Sequence, residues 1–579
     1  MNNAFAKSYK ELDQEKELPN ALTDAIKRQI AATEMPDWKM NVMTQPYSFI
    51  SVHPELKKIN HSINQTPLHK FVCDMDEKVR PFIKDYNNFD VLGSFYGEFL
   101  SYTGGDQQGL GIVLTPKHLT ELFAKIANLR KDSVVLDTCA GTSGFLISAM
   151  TEMLRKTETE EEQKHIRRNC LIGIEQQPEM YALAVSNMIL RGDGKANIHQ
   201  GNCFDIAMID AVKEKADVGM INPPYSQKGN GLHELHFIHN LLNCLKTNGI
   251  AIAVVPMSCA ISPHPMREQI LENHRLDAVM SLPNDIFHPV GTVTCIMVFT
   301  AHIPHELNPY HQSWFGYWKN DGHLKTKNKG RVDNGKWKEI EESWLQAYHT
   351  RSQIAGQSVL KKVTAKDEWC AEAYMETDYS DLKEKSFESI VLNFLSFKVL
   401  SGKFNLIKEF ITNEKKVINS IDSKQWNWFK YDDIFDIRRG QSKYIKDLQE
   451  GFIPYISATS QNNGITAYAN VYNFTGNCIT VSYDGSVGEA FYHDEPFFAS
   501  EKVAVFELKN HEFNPFIALF ICTLIRKEQF RYNYGLKWAV EGRMKQSLIK
   551  LPITLEGIPD WDFMENYIKS LPYSKSIEI

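Results

Sequence analysis

Asp217-Val218-Gly219-Met220-Ile221-Asn222-Pro223-Pro224-Tyr225 reads as a buried strand that halts at two prolines. Val218 and Met220 alternate as strand residues do. Proline has no N–H to give to a ladder, so neither Pro223 nor Pro224 extends a central strand. The Asn222 amide and the Tyr225 phenol are therefore delivered to the carboxyl end of a strand, the edge where open α/β sheets bind ligands. A plain proline turn would use the same four residues without any chemistry. The segments on either side decide between the two.

Upstream, Ser133-Val134-Val135-Leu136-Asp137 is an apolar strand ending in an acid, followed by Thr138-Cys139-Ala140-Gly141-Thr142-Ser143-Gly144-Phe145-Leu146, a small-residue loop entering a helix. Glycines let a backbone approach a ligand closely. The spacing is neither a dinucleotide fingerprint nor a phosphate loop. An acid before the loop repels pyrophosphate and welcomes the ammonium of an amino-acid moiety, which points to S-adenosylmethionine. Cys170-Leu171-Ile172-Gly173-Ile174-Glu175 is a second strand with a terminal carboxylate suited to ribose hydroxyls. A third strand and turn, Ile198-His199-Gln200-Gly201-Asn202-Cys203-Phe204-Asp205, places Asn202 or Asp205 near the adenine of such a cofactor. Earlier still, Thr115-Pro116 reads as a cap and first-turn proline opening a helix, whose N-terminal amides suit a carboxylate. A glycine-rich passage, Gly104-Gly105-Asp106-Gln107-Gln108-Gly109, and residues 92–100 precede it.

Beyond the tetrad, residues 235–245 form a helix with a stop signal at Asn248-Gly249. Strands follow at 250–256, 276–282 and 293–300, with a helix at 266–273. Strands alternating with helices at this spacing predict a parallel, doubly wound sheet.

The stretch from about Leu92 to Thr300 resembles the N6-adenine DNA methyltransferases of the γ arrangement. Within them it is most similar to the modification subunits of type I restriction-modification systems and their BcgI-like relatives. The resemblance is carried by Thr115-Pro116, Asp137 with the 141–146 loop, Glu175, Asn222-Pro223-Pro224-Tyr225, and Ser281-Leu282-Pro283 with Phe287 and Gly291-Thr292. Two positions depart from the family pattern: Thr138 stands where proline is usual and Asn202 where aspartate is usual. The resemblance implies that Asn222, Pro223, Pro224, Tyr225 and Phe287 are catalytic. It implies further that Thr115, Pro116, Asp137, Gly141, Thr142, Gly144, Phe145, Glu175 and Asn202 bind S-adenosylmethionine. No metal is required.

Residues 301–425 are rich in tryptophan and charge and read as a connecting extension; the Lys325 to Arg331 run reads as a solvated face, and helices around 387–397 as connectors. From Trp426 the composition turns β-rich, and the end reads as helical, with Arg526, Lys527, Arg531, Lys537, Arg543 and Lys545 interleaved with Tyr532, Tyr534 and Trp538. That order resembles a single target-recognition domain of type I specificity subunits. Arg531, Lys537, Arg543 and Lys545 are then the expected DNA contacts. The expected architecture is a helical N-terminal domain (1–92), a Rossmann-like methyltransferase domain (93–300), the extension (301–425) and an α+β target-recognition domain (426–579).

Bulk properties bound this picture. A chain of 579 residues with 43% hydrophobic and 23% charged residues suits several globular domains. A net charge of −7 confines any nucleic-acid surface to a local patch. The ten cysteines show no zinc spacing and read as reduced core thiols, and no signal peptide or membrane span is visible. A cytoplasmic protein acting on double-stranded DNA is expected, with a separate restriction or specificity subunit or a homo-oligomer as possible partners. Rival readings are a methyltransferase for RNA or protein glutamine, which also use Asn-Pro-Pro-Tyr, and a non-catalytic DNA-binding specificity protein. A bifunctional restriction enzyme is a third, but no Asp…Glu-x-Lys nuclease constellation is found, so cleavage would need a partner.

Overall fold

The computed structural model describes residues 3–31, 40–41, 44–81, 114–191, 197–225, 232–288, 291–326, 330–402, 421–443, 445–532 and 537–577. Residues 92–100, the glycine-rich passage 104–109 and Tyr534 lie outside them. The chain divides into two compact units, Met1–Ser352 with Leu360–Trp369, and Gln353–Val359 with Cys370–Ile579. The expected extension is thus split between them, 301–352 and 360–369 going with the first unit and 353–359 and the part from 370 on with the second.

The first unit is built on a sheet of β1 (Val135–Asp137), β2 (Leu171–Glu175), β3 (Ile198–Gln200), β4 (Ala216–Ile221), β5 (Leu245–Pro256), β6 (Arg275–Ser281), β7 (Thr294–Thr300) and β8 (Ser313–Tyr317). A hairpin of β9 (His323–Thr326) and β10 (Gly330–Asp333) follows. The order is β8-β6-β7-β5-β4-β1-β2-β3, with an edge strand, β11 (Ser358–Lys361), outside β8. Strands β3 to β5 are joined in parallel, but β7 runs antiparallel to both β5 and β6. This corrects the all-parallel expectation. Among the described residues no helix lies between β6 and β7, and without a crossover a strand beside its predecessor returns antiparallel. The sheet also runs past Thr300, because β8 pairs in parallel with β6. Every residue of β7 is buried, and so are the last four of β4 and of β6. Such double-faced burial explains why these strands read as continuous apolar runs.

Ahead of the sheet, helices Asn3–Ser8, Leu18–Ala31 and Pro67–Asp74 enclose a small core of Phe5, Tyr9, Leu18, Ala25, Ile50, Leu68 and Val72. Thr66 caps the last of these helices by accepting the His69 N–H at 3.1 Å, with Pro67 in its first turn. Eight of the ten cysteines are buried, as core thiols are.

The second unit is strand-rich. Strands β12 (Asn427–Lys430), β13 (Phe435–Arg439), β14 (Ile453–Ile456), β15 (Ile465–Ala469), β16 (Cys478–Ser482), β17 (Ala490–His493), β18 (Phe498–Ala499), β19 (Val503–Leu508) and β20 (Leu548–Leu551) form sheets ordered β13-β19-β16-β17, β15-β14-β18 and β12-β20. Its centre is the helix Pro515–Arg526, buried from Phe516 through Ile525. Helix Glu384–Leu400, expected as a connector, packs on it through Phe387, 4.8 Å from Phe520 between ring centroids. The expected helical end is broken into short turns, β20 and the helix Trp561–Ser570. The rings of Tyr532 and Trp538 stack at 5.0 Å inside the unit instead of lining a helix surface.

Candidate active site

β1 and β4 lie side by side, Val135 against Val218 and Leu136 against Gly219. From β1 the chain passes to β2 on one side, and it returns from β3 to β4 on the other. This is the reversal of strand order at which doubly wound sheets open a crevice. The loops after Asp137 and Ile221 leave from adjacent strand ends there, and β2 brings Glu175 to the same edge.

The loop after β1 is tightly held. Ala140 N–H donates to the Ile174 carbonyl at 2.9 Å, Ser143 N–H to the Ala140 carbonyl at 2.6 Å, and the buried Asn187 amide to the Thr142 carbonyl at 2.8 Å. Gly141 sits at φ +52°, where glycine pays no Cβ penalty. Ser143, with no such freedom, adopts φ +70° as the residue that opens helix Gly144–Leu154. Left-handed non-glycine residues of this kind cluster at ligand-binding sites.

Asp137 is buried at 1% exposure. Its Oδ1 accepts the Cys139 N–H at 3.0 Å, while Oδ2 has no hydrogen-bond partner among the described residues. Burial pushes its carboxyl up to about 8, opposed by the Cys139 N–H and reinforced by the charge of Glu175. A buried, half-satisfied carboxyl is costly unless a cation or donor completes it. The ammonium of an amino-acid moiety suits that oxygen. Both Glu175 oxygens are engaged, Oε2 by Gly141 N–H and Oε1 by Gln177 N–H, each at 2.8 Å. Burial raises this carboxyl too, against those backbone donors. Each oxygen retains a further lone pair for a hydroxyl. Asn202 Oδ1 accepts the Phe204 N–H at 3.1 Å and shapes the loop after β3.

Two residues expected at the cofactor make other contacts. Phe145 is 3% exposed, and its ring packs on Phe123 at 4.6 Å, so it belongs to the core behind the loop. Thr115 does not cap a helix: Lys117–Ile126 begins after Pro116 without a side-chain cap. The Thr115 hydroxyl instead accepts the Asn222 Nδ2 hydrogen at 2.9 Å. Sequence reasoning missed this contact, since no local pattern joins residues so far apart.

In the tetrad, Asn222 and Tyr225 are half-buried, Pro223 is buried and Pro224 exposed. The Tyr225 ring stands perpendicular to Phe287 at 6.1 Å, an edge-to-face pair, and Phe287 is itself 3% exposed. The Tyr225 hydroxyl is enclosed without a hydrogen-bond partner among the described residues, and burial holds it well above its usual ionisation range.

Among the described residues two clusters have metal-like composition. His118, Asp321 and His323 come together, but Arg331 donates to both Asp321 oxygens at 2.7 Å, so a guanidinium already supplies the cation. Arg331 is thereby a buried ion-pair member, not part of a solvated face. In the second, His233 Nδ1 accepts the Leu235 N–H at 3.3 Å at a helix start, and the Cys259 thiol donates to Glu234 at 3.8 Å.

In the second unit the expected DNA contacts divide. Arg531 is 5% exposed and paired with the buried Glu528 at 2.9 Å, with Thr377 bridging the two, so it cannot reach a phosphate. Lys537 pairs with Asp484 at 2.9 Å, Lys545 with Glu541 at 2.8 Å, and Arg543 donates to the Lys537 carbonyl at 2.5 Å. Surface pairs of this kind are weak and exchange readily for another anion.

A switch-point reversal of strand order, a pinned small-residue loop between two carboxylates and an Asn-Pro-Pro-Tyr strand end thus meet at one edge of the sheet. The N-6 DNA Methylase family matches residues 87–381, and the chain belongs to that family. The type I restriction modification DNA specificity domain matches residues 423–579. Over 395 residues the chain is 36% identical to the type II restriction enzyme and methyltransferase RM.BcgI of Heyndrickxia coagulans, covering 66% of this chain and 61% of that one. Over 176 residues it is 38% identical to the specificity subunit S.BcgI of the same organism, covering 30% of this chain and 50% of that one. The chain thus spans about half to three fifths of the length of these relatives. Among solved structures it is similar to the type I restriction-modification methyltransferase subunit of Streptococcus thermophilus, with 18% identity, 62% of this chain and 75% of that one covered, and a TM-score of 0.45. Among the described residues no helix is long and apolar enough to cross a membrane.

Proposed function

We propose that the protein transfers a methyl group from S-adenosylmethionine to N6 of adenine in double-stranded DNA, at sites chosen by its second unit. The observation that carries this reading is the meeting of Asn222 with the Asp137 and Glu175 loops at one reversal of strand order. The protein would act in the cytoplasm as part of a restriction-modification or related defence system. Cleavage would fall to a partner or to a further subunit.

Bound S-adenosylmethionine supplies a methyl already activated on a sulfonium sulfur. Asp137 would pair with its ammonium through Oδ2, Glu175 would accept from its ribose, and the loop after β3 would border its adenine. Asn202 stands in the place where aspartate is usual, and its amide can both accept and donate at an adenine edge. The target amine is a poor nucleophile because its lone pair is delocalised into the ring. Asn222 Oδ1 and the Pro223 carbonyl would accept its two hydrogens, favouring a pyramidal nitrogen with its lone pair available. Positioning and fixed dipoles then carry the catalysis. The amine is inaccessible inside a duplex, so the base must be flipped out. Tyr225 would stack on it, braced edge-on by Phe287. Lys537, Arg543 and Lys545 would neutralise DNA phosphates.

The test is single-molecule sequencing of DNA from cells with and without the protein. N6-methyladenine in one sequence context, present only with the protein, is expected. Its absence, with methyl groups found on RNA or on protein glutamine instead, would overturn the reading.

A further inference from the structure

Thr115 and Asn222 belong to segments 107 positions apart, yet the Asn222 amide nitrogen donates to the Thr115 hydroxyl oxygen at 2.9 Å. We propose that Thr115 is a positioning residue for the methyl transfer, holding the Asn222 amide with Oδ1 turned toward the incoming amine. The proposal rests on the methyl-transfer reading above and assigns Thr115 a task other than binding the cofactor.

An asparagine amide has two orientations of almost the same shape, and they differ only in which end is the acceptor. The orientation with Oδ1 outward meets the two N–H donors of an adenine amine. The reverse orientation sets NH2 against NH2. It also sets the amide oxygen against the Thr115 hydroxyl oxygen unless that hydroxyl rotates its proton round. As found, Oγ1 is the acceptor, so the bond holds the productive orientation before substrate arrives, which is the sense in which a site is preorganised. The anchor is itself stiff. Thr115 is β-branched, and Pro116 behind it restricts its backbone to extended conformations. No helix cap competes for the hydroxyl, because the helix starts beyond it without a side-chain cap.

Thr115→Val keeps the shape and removes the acceptor, whereas Thr115→Ser keeps the acceptor. The full-length protein and these variants are given tritiated S-adenosylmethionine and unmethylated genomic DNA. Single-turnover rates are measured beside cofactor dissociation constants from calorimetry and melting temperatures. Thr115→Val is expected to lower the rate about 10-fold, the scale of one lost hydrogen bond that strands its donor. Cofactor affinity should stay within about 2-fold, and Thr115→Ser should recover most of the rate. Thr115→Ala is measured in parallel and should show the same split, so the conclusion does not depend on one variant folding. A wild-type rate in Thr115→Val and Thr115→Ala overturns the proposal. So does a loss confined to cofactor affinity, or one that Thr115→Ser fails to recover. A wild-type protein that labels no adenine overturns the methyl-transfer reading itself, and is thereby distinguished from failure of the positioning role.

Discussion

Asn222 is where the proposed chemistry is most concentrated, and its replacement separates catalysis from binding. Asn222→Ala is expected to lower methyl transfer by about 100- to 1000-fold, as loss of a preorganised polar group does. Cofactor affinity should remain within a few-fold, since Asp137 and Glu175 stand on other strands. Near-normal turnover would remove Asn222 from the mechanism. In the proposed mechanism Tyr225 offers a ring face, and its hydroxyl is enclosed without a partner among the described residues. Tyr225→Phe should keep most activity, whereas Tyr225→Ala should lose roughly 1–3 kcal/mol of stacking; equal damage from both would exclude stacking. Asp137 makes a prediction about protons. Its carboxyl is raised from 3.8 to about 8, so the cofactor-free protein holds this proton at pH 7. Pairing with an ammonium favours the charged form, so cofactor binding at pH 7 should release close to one proton. Calorimetry in buffers of different ionisation enthalpy reads that number, and Asp137→Asn should abolish it. Between those two values the folded state holds the proton and the unfolded state does not. Stability is therefore lost as pH rises through that window. Asp137→Asn should accordingly stabilise the cofactor-free protein at pH 8, by on the order of 1 kcal/mol or more.

At the scale of elements, the helix Gly144–Leu154 joins the cofactor loop to the core. Phe145, its second residue, packs on Phe123 from the helix Lys117–Ile126. Phe145→Ala should cost about 3–5 kcal/mol, the usual range for a buried phenylalanine. Phe145→Leu should retain most cofactor affinity. A ring that touched the cofactor directly would instead lose affinity in Phe145→Leu at unchanged melting temperature. Helix Glu384–Leu400 shows where local reading falls short. The sequence shows helices around 387–397 but reads them as connectors; the helix buries Phe387, Ile390, Val391, Phe394 and Leu395, and the partners of Phe387, Phe520 and Tyr567, lie over a hundred residues away. The segment from 526 to 545 read as a basic helix because its lysines and arginines are spaced like one. Among its described residues, Arg531 is buried against Glu528 and Trp538 beside Ser547, with short helical turns at Lys527–Arg531 and Val540–Met544.

For the whole molecule, the predicted division of labour is chemistry in the first unit and sequence choice in the second. A protein ending at Trp369 should still bind S-adenosylmethionine and lose site-specific methylation. One ending at residue 425 would keep helix Glu384–Leu400 with Phe387 stripped of Phe520 and Tyr567, and should aggregate. Methylation of a random-sequence DNA pool by the full and shortened proteins checks the division. If the shortened protein marks the same adenines in the same context, the second unit does not read sequence. Reversing charge at Arg543 and Lys545 should weaken DNA binding and flatten its salt dependence, because fewer counterions are released. The same change at Arg531 should unfold the second unit, since it strands Glu528 at a cost of roughly 3–5 kcal/mol.

What the sequence determined by itself was whatever is written in local pattern. An apolar run ended by two prolines must stop as a strand, and an acid before a small-residue loop must sit at a strand end, so Asp137, Glu175 and Asn222 fell where expected. The helical entry and the change to strands after Trp426 were legible for the same reason. Tertiary structure alone decided the rest. The reversal of β7 depends on a connection too short for a crossover. The extension of the sheet through β8 depends on pairing with β6, and the fate of each charged residue depends on whether a distant partner buries it. The hydrogen bond from Asn222 to Thr115 is of that kind. A strand end and a helix entry each have a local signature, but their juxtaposition exists only once the sheet has brought both to one edge.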